Sequence, residues 1–467
     1  MDPTHERIMQ AIIEDPIATS KELAGRIECS LDELRTAYFA IMGRLPVAPN
    51  MPFGLSDVIR KILERDVLSS SNRRFLDAFR ERKFVFPDRL ELHLGSGCQC
   101  CCRFCWRWSS GEWKSEDLGM YPSAQLSRSK ERWRIGTGAL RSPRTNAGLL
   151  TLPAVENLLN EFKTNNPDTH PLLYLSGGLE CFTSELAEGT IKKAAQLGFK
   201  TMVYTNGVAP CFDDDRFVDL LLEKTAFIRF SLHANTGETF ARVQMPHRPS
   251  ELACREFSNV RRHIENLLTR RGSRASGGPT IAVAYLIIGD NLDDLEGAIE
   301  WMQTNGVDEC DVRVDMRGVS QWFDNQQRAR LDDILRRVRQ KSDQDGYHPT
   351  KVNSRFDDRY NATRPATRPM GERRCFIPLK KPTVDPWGYV LKCCYRAHPA
   401  LQSTEFVLGK YPERSLCEIL NDGFNSGDAP QSFHCADCTD WEMIYNKCVA
   451  KVLEDWEQGI SPDDLPR

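Results

Sequence analysis

Five cysteines crowd into eight residues near position 100, where their spacing could hold a metal. Among them only Cys98, Cys102 and Cys105 give the pattern Cys-x3-Cys-x2-Cys, and Cys100 and Cys101 fall outside it. A zinc site normally takes four ligands in paired Cys-x2-Cys knuckles. Three thiolates in one short loop can instead surround an iron–sulfur cube and leave one iron open to a substrate or cofactor.

The last quarter of the chain holds a second group of cysteines. Four of them give two spaced thiols and a closing Cys-x2-Cys knuckle: Cys375, Cys393, Cys435 and Cys438. Gly388 lies between the first two, where a glycine allows a hairpin turn that brings ligands together. Four thiolates suit either a [4Fe-4S] cluster or zinc, and Cys394 and Cys448 remain as spare thiols.

Polar residues stand at the ends of several β-rich runs. They are Ser176, Gly177, Gly178, Glu180, Asn206, Ser231 and His233. Glycines let a backbone come close to a ligand, and a carboxylate such as that of Glu180 can hold an ammonium group. His233 could relay a proton, or it could be a structural histidine.

These positions require an alternating fold to bring them together. Strands are expected at residues 90–94, 172–175, 200–204, 226–232, 280–287 and 310–316. Helices are expected between and after them, at residues 152–163, 184–197, 214–224, 292–304 and 327–341. The alternation predicts an α/β fold, a partial (β/α)6 TIM-like barrel with its chemistry at the carboxyl ends of parallel strands.

The sixth expected strand carries charged residues on one face, namely Asp311, Arg313 and Asp315. In a barrel such a face should point into the cavity or be paired within the protein. Arg313 and Asp315 are therefore candidate substrate contacts, and a structural ion pair is an equal alternative.

Composition excludes several classes of protein. At ~150 residues per domain the length predicts about three structural units. Lys+Arg 62 against Asp+Glu 65 gives a net charge of -3, so no general basic field attracts nucleic acid or anionic lipid. The longest apolar run, residues 280–288, is too short to cross a bilayer, and the first residues do not resemble a signal peptide. We expect a cytoplasmic protein without a membrane or nucleic-acid partner.

The first 85 residues are expected to form a helical N-terminal cap. Ser30 and Glu33 give a capping box, and an apolar stripe then runs from Leu31 through Leu34 to Tyr38, Ile41 and Leu45. A short helix before it, residues 20–27, makes the pair similar to a helix-turn-helix. Residues 1–50 carry five basic and eight acidic side chains, which opposes DNA contact and favours a packing or substrate-recognition role.

At its first cysteine loop the chain resembles the radical S-adenosylmethionine (SAM) superfamily, whose Cys-x3-Cys-x-aromatic-Cys loop follows the first barrel strand. The resemblance implies that Cys98, Cys102 and Cys105 hold a [4Fe-4S] cluster whose open iron binds SAM. It further implies reductive cleavage of SAM to a 5'-deoxyadenosyl radical, which abstracts hydrogen from a substrate carbon. Phe104 matches the aromatic position beside the adenine.

The same resemblance implies further contacts with SAM. Ser176, Gly177, Gly178 and Glu180 align with a Gly-Gly-Glu-Pro motif that binds the methionyl ammonium, although Leu179 intervenes and Cys181 replaces the proline. Asn206 follows the third strand. Ser231 and Arg242 match positions that contact the ribose and carboxylate, and a solvated helix residue is the alternative for Arg242.

The C-terminal cysteines resemble the auxiliary-cluster domains called SPASM and twitch. This implies one auxiliary [4Fe-4S] cluster held by Cys375, Cys393, Cys435 and Cys438. The expected domains are a helical cap at 1–85, a radical SAM partial barrel at 86–345 and a small cysteine-rich twitch/SPASM-like domain at 346–467.

The leading expectation for function is hydrogen abstraction from a biosynthetic small molecule of natural-product type, sugar-like or amino-acid-like. The auxiliary cluster would assist, and a flavodoxin or ferredoxin would supply electrons. The helical start and the Ser-Gly-Gly-Leu-Glu string are more distantly similar to radical SAM deaminases that act on nucleotide-linked aminosugars. The alternatives are cross-linking of a ribosomally made peptide, through thioether or carbon–carbon bonds, and an iron–sulfur regulator built on the helix-turn-helix.

Overall fold

The structure is a computed structural model. It describes residues 7–8, 11, 20–34, 36, 66–69, 72–95, 97–105, 140–141, 149–176, 179–273, 277–314, 325–342, 348–354, 374–392, 394, 407–425, 431–432 and 440–459. The chain divides into two compact units. The first comprises residues 1–85, 355–377 and 430–467, and the second comprises residues 86–354 and 378–429.

The strands, in chain order β1 to β14, are Arg89–His93, Gly97–Cys98, Leu140–Arg141, Leu172–Ser176, Lys200–Thr205, Phe227–Ser231, Thr280–Ile287, Glu309–Val314, Lys351–Ser354, Arg374–Cys375, Thr383–Val384, Tyr389–Leu391, Val407–Lys410 and Gln431–Ser432. The helices, in chain order α1 to α12, are Ser20–Ile27, Arg73–Glu81, Leu152–Thr164, Leu186–Gln196, Asp215–Lys224, Gly237–Val243, Ser250–Gly272, Leu295–Asn305, Asn325–Ser342, Ile377–Lys380, Leu416–Asn425 and Asp440–Glu457.

Ten strands of the second unit form one sheet in the order β13-β12-β11-β1-β4-β5-β6-β7-β8-β9. All neighbours from β11 to β9 are parallel, and β12 and β13 extend one edge as antiparallel strands. Strands β4 to β9 follow one another in chain order with helices between them, which is the pattern of right-handed crossovers. The predicted fold class is confirmed: all six predicted strands form, and β9 and β11 add a parallel strand on either side.

Each parallel strand has one face toward the helices and one face away from them. On β6, Phe230 packs against Phe212 with ring centroids 5.5 Å apart, and Phe212 stacks on His263 of α7. Because successive side chains alternate between the faces, Arg229 and Ser231 lie on the opposite face. We call this opposite side the inner face of the sheet.

The hairpin expected around Gly388 forms between β11 and β12. Gly388 has φ +84°, and a Cβ there would overlap the carbonyl oxygen of Tyr411, so only glycine fits this turn. These strands belong to the second unit, whereas residues 355–377 and 430–467 belong to the first. The C-terminal cysteine-rich segment is therefore shared between two compact units.

The first unit has an apolar core on two helices. Phe75, Leu76 and Phe79 of α2 are buried, and the ring of Phe79 lies 4.8 Å from that of Phe376. On α12, the ring of Trp456 is covered by the guanidinium groups of two arginines of α2, Arg73 and Arg80. Aromatic and cation–π packing thus holds these segments of the chain together.

The capping box expected at Ser30 and Glu33 is present. The backbone amide of Glu33 donates to Ser30 Oγ at 3.2 Å, and the amide of Ser30 donates to the Glu33 carboxylate at 2.8 Å. Leu34 is buried as expected, but Leu31 is 37% exposed, so its place in the apolar stripe was wrong. Leu31 follows the capping residue Ser30 directly, at the first position of the helix. Tyr38, Ile41 and Leu45 lie outside the described residues.

Within the described part of the chain, no helix combines the length and the apolar character needed to span a membrane.

Candidate functional site

The first cysteine loop leaves β1 through Gly95 and runs along the segment that contains Glu180. A Cβ on Gly95 would overlap the backbone carbonyl of Glu180, so the loop can approach only because this residue is glycine. The amide of Glu180 donates to the carbonyl of Gly97 at 2.9 Å, and β2 pairs with β3. The path of the loop is therefore fixed immediately before Cys98.

The thiols of this loop lie close together. Cys100 is buried and its thiol lies within hydrogen-bonding reach of both Cys98 and Cys102. The hydrogen bond with Cys100 lowers the pKa of Cys98, and the bonds with Cys102 and Cys98 raise the pKa of Cys100 well above its usual value. The amide of Cys105 donates to the carbonyl of Cys102 at 2.9 Å. A tight turn with several soft sulfur donors fits the chemistry of an iron–sulfur cluster.

The described residues contain no group of three or more His, Cys, Asp or Glu side chains already arranged as a metal site. The fit of a cluster thus rests on the donor type and spacing of Cys98, Cys102 and Cys105. Cys101, which falls outside the spacing, is buried, and burial raises the pKa of its thiol to about 11. A raised thiol pKa disfavours the thiolate that binds metal.

The far side of the loop is anchored to the end of α6 through backbone hydrogen bonds. The amides of Cys101 and Arg103 donate to the carbonyls of Gln244 and Val243, both at 3.0 Å. The buried Gln244 side chain also binds the end of β6, because its Nε2 donates to the carbonyl of Ser231 at 3.0 Å. One glutamine therefore connects the cysteine loop to the fourth strand of the predicted barrel.

Asn206 connects the loop to the end of β5. Its Nδ2 donates to Cys98 Sγ at 3.4 Å and to Gln99 Oε1 at 3.1 Å, and its backbone amide donates to Glu180 Oε2 at 2.7 Å. An amide that donates to a ligand sulfur is the kind of outer contact that orients a metal ligand. The structure thus brings Asn206, Glu180 and Cys98 together, and their roles in one site stay predictions.

Glu180 is buried and both of its carboxylate oxygens accept hydrogen bonds from the protein. Its Oε1 accepts from Thr205 Oγ1 at 2.7 Å and from the amide of Phe182 at 3.2 Å, while Oε2 accepts from Asn206. Burial raises the pKa of Glu180 despite these donors. Its role as the ammonium partner of SAM stays a prediction. The existing donors leave room for it, because a carboxylate oxygen can accept more than one hydrogen bond.

Phe104 and His233 meet at the inner side of the loop, with ring centroids 4.8 Å apart in an edge-to-face arrangement. His233 Nδ1 accepts a hydrogen bond from the amide of Leu286 at 2.9 Å. Burial, followed by the nearby Arg229 and Arg313, lowers the pKa of His233 to about 3. A neutral ring fixed by a backbone amide favours the structural interpretation of His233 over the proton relay.

The remaining predicted contacts are dispersed. Ser176 Oγ donates to Glu91 Oε1 at 2.6 Å on the inner face, where Ser231 also lies. Arg242 is exposed on α6 and donates to the carbonyl of Asp290 at 2.9 Å. Three of these predicted contacts with SAM or substrate lie outside the described residues: Gly177, Gly178 and Asp315.

The inner face carries a row of polar and aromatic side chains, of which the sequence pointed only to Asp311 and Arg313. The row consists of Lys381, Glu91, His93, Tyr174, Tyr204, Arg229, Asp311 and Arg313. Burial opposes ionisation of Glu91, but Lys381 at 2.7 Å and His93 outweigh it and hold the pKa of Glu91 well below its usual value. Alternation in strands such as Leu-Glu-Leu-His at 90–93 was the available signal, because it places a polar residue at every second position.

The second cysteine group can be described only in part. Cys375 is buried in the first unit, where its Sγ accepts a hydrogen bond from Asn446 Nδ2 at 3.5 Å. Cys448 is buried in the same unit, and Cys394 of the second unit is partly exposed. Cys393, Cys435 and Cys438 lie outside the described residues.

No family model matches this chain. Among curated proteins, the chain is 23% identical over 380 residues to the dTDP-4-amino-4,6-dideoxy-D-glucose ammonia-lyase of Streptomyces venezuelae. The match covers 77% of this chain and 69% of that enzyme.

Three solved structures show a weaker likeness. SuiB of Streptococcus suis bound to S-adenosylmethionine is 12% identical, with 85% of this chain and 81% of that chain covered and a TM-score of 0.49. anSMEcpe with bound AdoMet is 13% identical, with coverage of 79% and 97% and a TM-score of 0.43. BtrN in complex with AdoMet and 2-DOIA is 12% identical, with coverage of 76% and 94% and a TM-score of 0.33.

The cysteine loop lies where the first strand of the parallel sheet ends, and the curated relative matches the chain across most of its length.

Proposed function

We propose that the chain abstracts hydrogen from an amino sugar or a similar small molecule after reductive cleavage of SAM. The observation that carries this proposal is the similarity to an ammonia-lyase named for a nucleotide-linked amino sugar, across 77% of the chain. The relative's name identifies a small-molecule substrate rather than a peptide. Cross-linking of a ribosomally made peptide is therefore the second outcome that the test below must separate.

Cys98, Cys102 and Cys105 would hold the [4Fe-4S] cluster, and SAM would bind beside it. When bound, the reduced cluster supplies the electron that cleaves SAM to methionine and a 5'-deoxyadenosyl radical. Asn206 would orient Cys98 through its Nδ2, and Gln244 would fix the loop against β6. Phe104, supported by the ring of His233, would present an apolar surface to the adenine.

Ser176, Gly177, Gly178, Glu180, Ser231 and Arg242 are proposed as further contacts with SAM. Glu180 is the one among them whose place beside the loop is supported by hydrogen bonds to Asn206 and Gly97. Arg313 and Asp315 are proposed on the substrate side, and His233 is proposed as the neutral ring that supports Phe104. Electrons would come from a flavodoxin-like or ferredoxin-like partner.

One auxiliary [4Fe-4S] cluster is proposed on the C-terminal cysteines. Cys375 supports it, since this buried sulfur accepts a hydrogen bond from the buried Asn446, as second-shell amides do toward metal-bound thiolates. Cys393, Cys435 and Cys438 would complete the set, with Cys394 and Cys448 as alternatives. Zinc bound by the same four thiolates is the competing assignment.

The test is an iron count and a SAM-cleavage assay on anaerobically reconstituted protein with dithionite. We expect about eight irons in the wild type and about four in the Cys98→Ala/Cys102→Ala/Cys105→Ala variant, which should form no 5'-deoxyadenosine. About four irons with bound zinc would reassign the C-terminal site as a zinc site. Absence of 5'-deoxyadenosine from the intact protein would overturn the proposed activity.

Substrate class is tested in the same assay. A dTDP-linked 4-amino sugar should raise the rate of 5'-deoxyadenosine formation and lose ammonia. A peptide that alone raised the rate would support the peptide-modifying alternative and contradict the proposal.

A further inference from the structure

We propose that Arg229 and Arg313 bind an anionic group of the substrate, a carboxylate or a phosphate, on the inner face of the sheet. This inference rests on the proposed function, because it concerns recognition of the substrate within the same barrel. Neither arginine belongs to the cysteine loop or to the predicted SAM contacts.

The two arginines meet because the strand between them carries small residues. Arg229 on β6 lies beside Ala282 of β7, and Asp311 on β8 lies beside Ala284, whereas Arg313 lies further along β8 beside Leu286. Over these alanines the Arg229 guanidinium reaches Asp311 Oδ2 on β8 at 3.2 Å. A larger side chain at either alanine would separate the two charged strands.

Asp311 holds both guanidinium groups with one carboxylate. Its Oδ2 accepts from Arg229 and also from Arg313, whose Nε lies 2.9 Å away. The side chains of Arg229 and Arg313 remain 22% and 30% exposed, whereas that of Asp311 is 15% exposed. The carboxylate thus orients two forked donors that still present surface, and such forks match the oxygen pairs of carboxylates and phosphates.

His233 relates the two arginines to the cysteine loop. Both contribute to the lowered pKa of His233, and the ring of His233 contacts Phe104 of the loop. The positive charges of Arg229 and Arg313 therefore act on His233, which lies beside the cysteine loop. An anion held by these arginines would anchor a substrate within reach of that loop.

An aromatic wall continues from the arginines along the inner face. The Arg229 guanidinium lies 4.3 Å above the ring of Tyr204, and the ring of Tyr174 stacks beside it with centroids 6.2 Å apart. Lys381 Nζ lies 5.4 Å from the ring of Tyr174 and pairs with Glu91. Tyrosine rings offer a surface on which an uncharged ring of the substrate can lie.

The test is calorimetric titration of the full-length, iron-reconstituted protein with SAM, using inorganic pyrophosphate and succinate as separate probes. Arg229→Gln and Arg313→Gln should each raise the Kd of the bound probe at least about tenfold, because each removes a two-point contact. Arg313→Lys keeps the charge and should fall between the wild type and Arg313→Gln. The matched control is Arg270→Gln, since Arg270 pairs with Asp215 and Asp219 away from the inner face.

Tighter binding of pyrophosphate would identify a phosphate ester, and tighter binding of succinate would identify a carboxylic acid; both support the anion site. Lack of binding of both probes to the wild type, or equal binding in all variants, would overturn it. Melting temperatures of the variants identify any loss of folding. If a glutamine variant does not fold, the Kd of the probe for Arg313→Lys, which should exceed that of the wild type, tests the proposal instead. The 5'-deoxyadenosine assay on the same wild-type preparation reports separately whether the proposed function fails.

Discussion

His233 lies between the cysteine loop and the charged inner face. Burial and the two neighbouring arginines hold its pKa at about 3, compared with a usual value of 6.5. Its Nδ1 is occupied by the amide of Leu286, so the neutral ring has one orientation. The residue therefore contributes shape and a neutral edge to Phe104 at physiological pH.

This lowered pKa predicts a pH-dependent stability. As the pH falls below 6.5, the unfolded chain protonates His233 first, and the folded protein loses stability. Between about pH 7.5 and pH 5.5 the wild type should lose about 1.4 kcal/mol more of its free energy of unfolding than His233→Asn, in which Asn offers an oxygen to the amide of Leu286. Denaturant unfolding at both pH values measures the difference, and equal losses in the two proteins would contradict it.

Side-chain types around the site could be predicted from the sequence, but their partners could not. Cys98, Cys102 and Cys105 follow from spacing alone. Two of the donors to Glu180 come from Thr205 and Asn206, 25 and 26 residues further along the chain. Only the pairing of β4 with β5 brings them together, and that pairing is a property of the folded sheet.

Among the elements, the connection after β1 has little room to move. Its glycine, Gly95, packs directly on the backbone of Glu180, and the cysteine ligands begin three residues later. Backbone atoms cannot yield as the end of a flexible side chain can. Any added atom at this position must therefore displace the loop.

Gly95→Ala should lower the free energy of unfolding by at least about 2 kcal/mol and reduce the iron content, because overpacking shifts the cysteine loop. Gly272→Ala is the matched control, since a Cβ on Gly272 has nothing within 4 Å and the residue ends α7. Thermal unfolding and iron analysis of the two variants measure the effect. Unchanged iron and stability in Gly95→Ala would show that the loop can move without loss.

The elements of the sheet were largely predictable because alternation and apolar runs are local. Helix α7 was not among the predicted helices, although Ala253, Phe257, Val260 and Ile264 recur at helical spacing and are buried. Arg229 on the inner face was missed for a different reason. Arg229 is separated from Asp311 by 82 residues, and no local pattern links them.

At the scale of the whole molecule, the chain passes between its two compact units four times, after residues 85, 354, 377 and 429. Composition suggested one C-terminal domain from residue 346, because cysteine content changes there. The sheet instead takes β9 and β11 to β13 from that segment. Lys381, the partner of the buried Glu91, comes from it as well.

A chain that ends at residue 345 should therefore fail to give a soluble barrel. It would lose β9 and β11, leave β8 and β1 with unpaired edges, and leave Glu91 buried without its cation. A chain that ends at Gly459 retains every described helix and strand and should be soluble. Soluble yield and circular dichroism of both chains measure this, and a well-folded chain ending at residue 345 would contradict the shared sheet.

Gln244 holds the cysteine loop through contacts that do not involve the charged row. The proposed cleavage of SAM and the proposed binding of substrate thus depend on different side chains. The backbone of Cys101 is bonded to Gln244, whose side chain is bonded to Ser231 and His233, whereas the charged row consists of side chains on the inner face of the sheet. Exchange of Arg229, Asp311 or Arg313 leaves all of those hydrogen bonds in place. The substrate preference of the barrel could therefore change, in evolution or by design, while the cysteine loop stays the same.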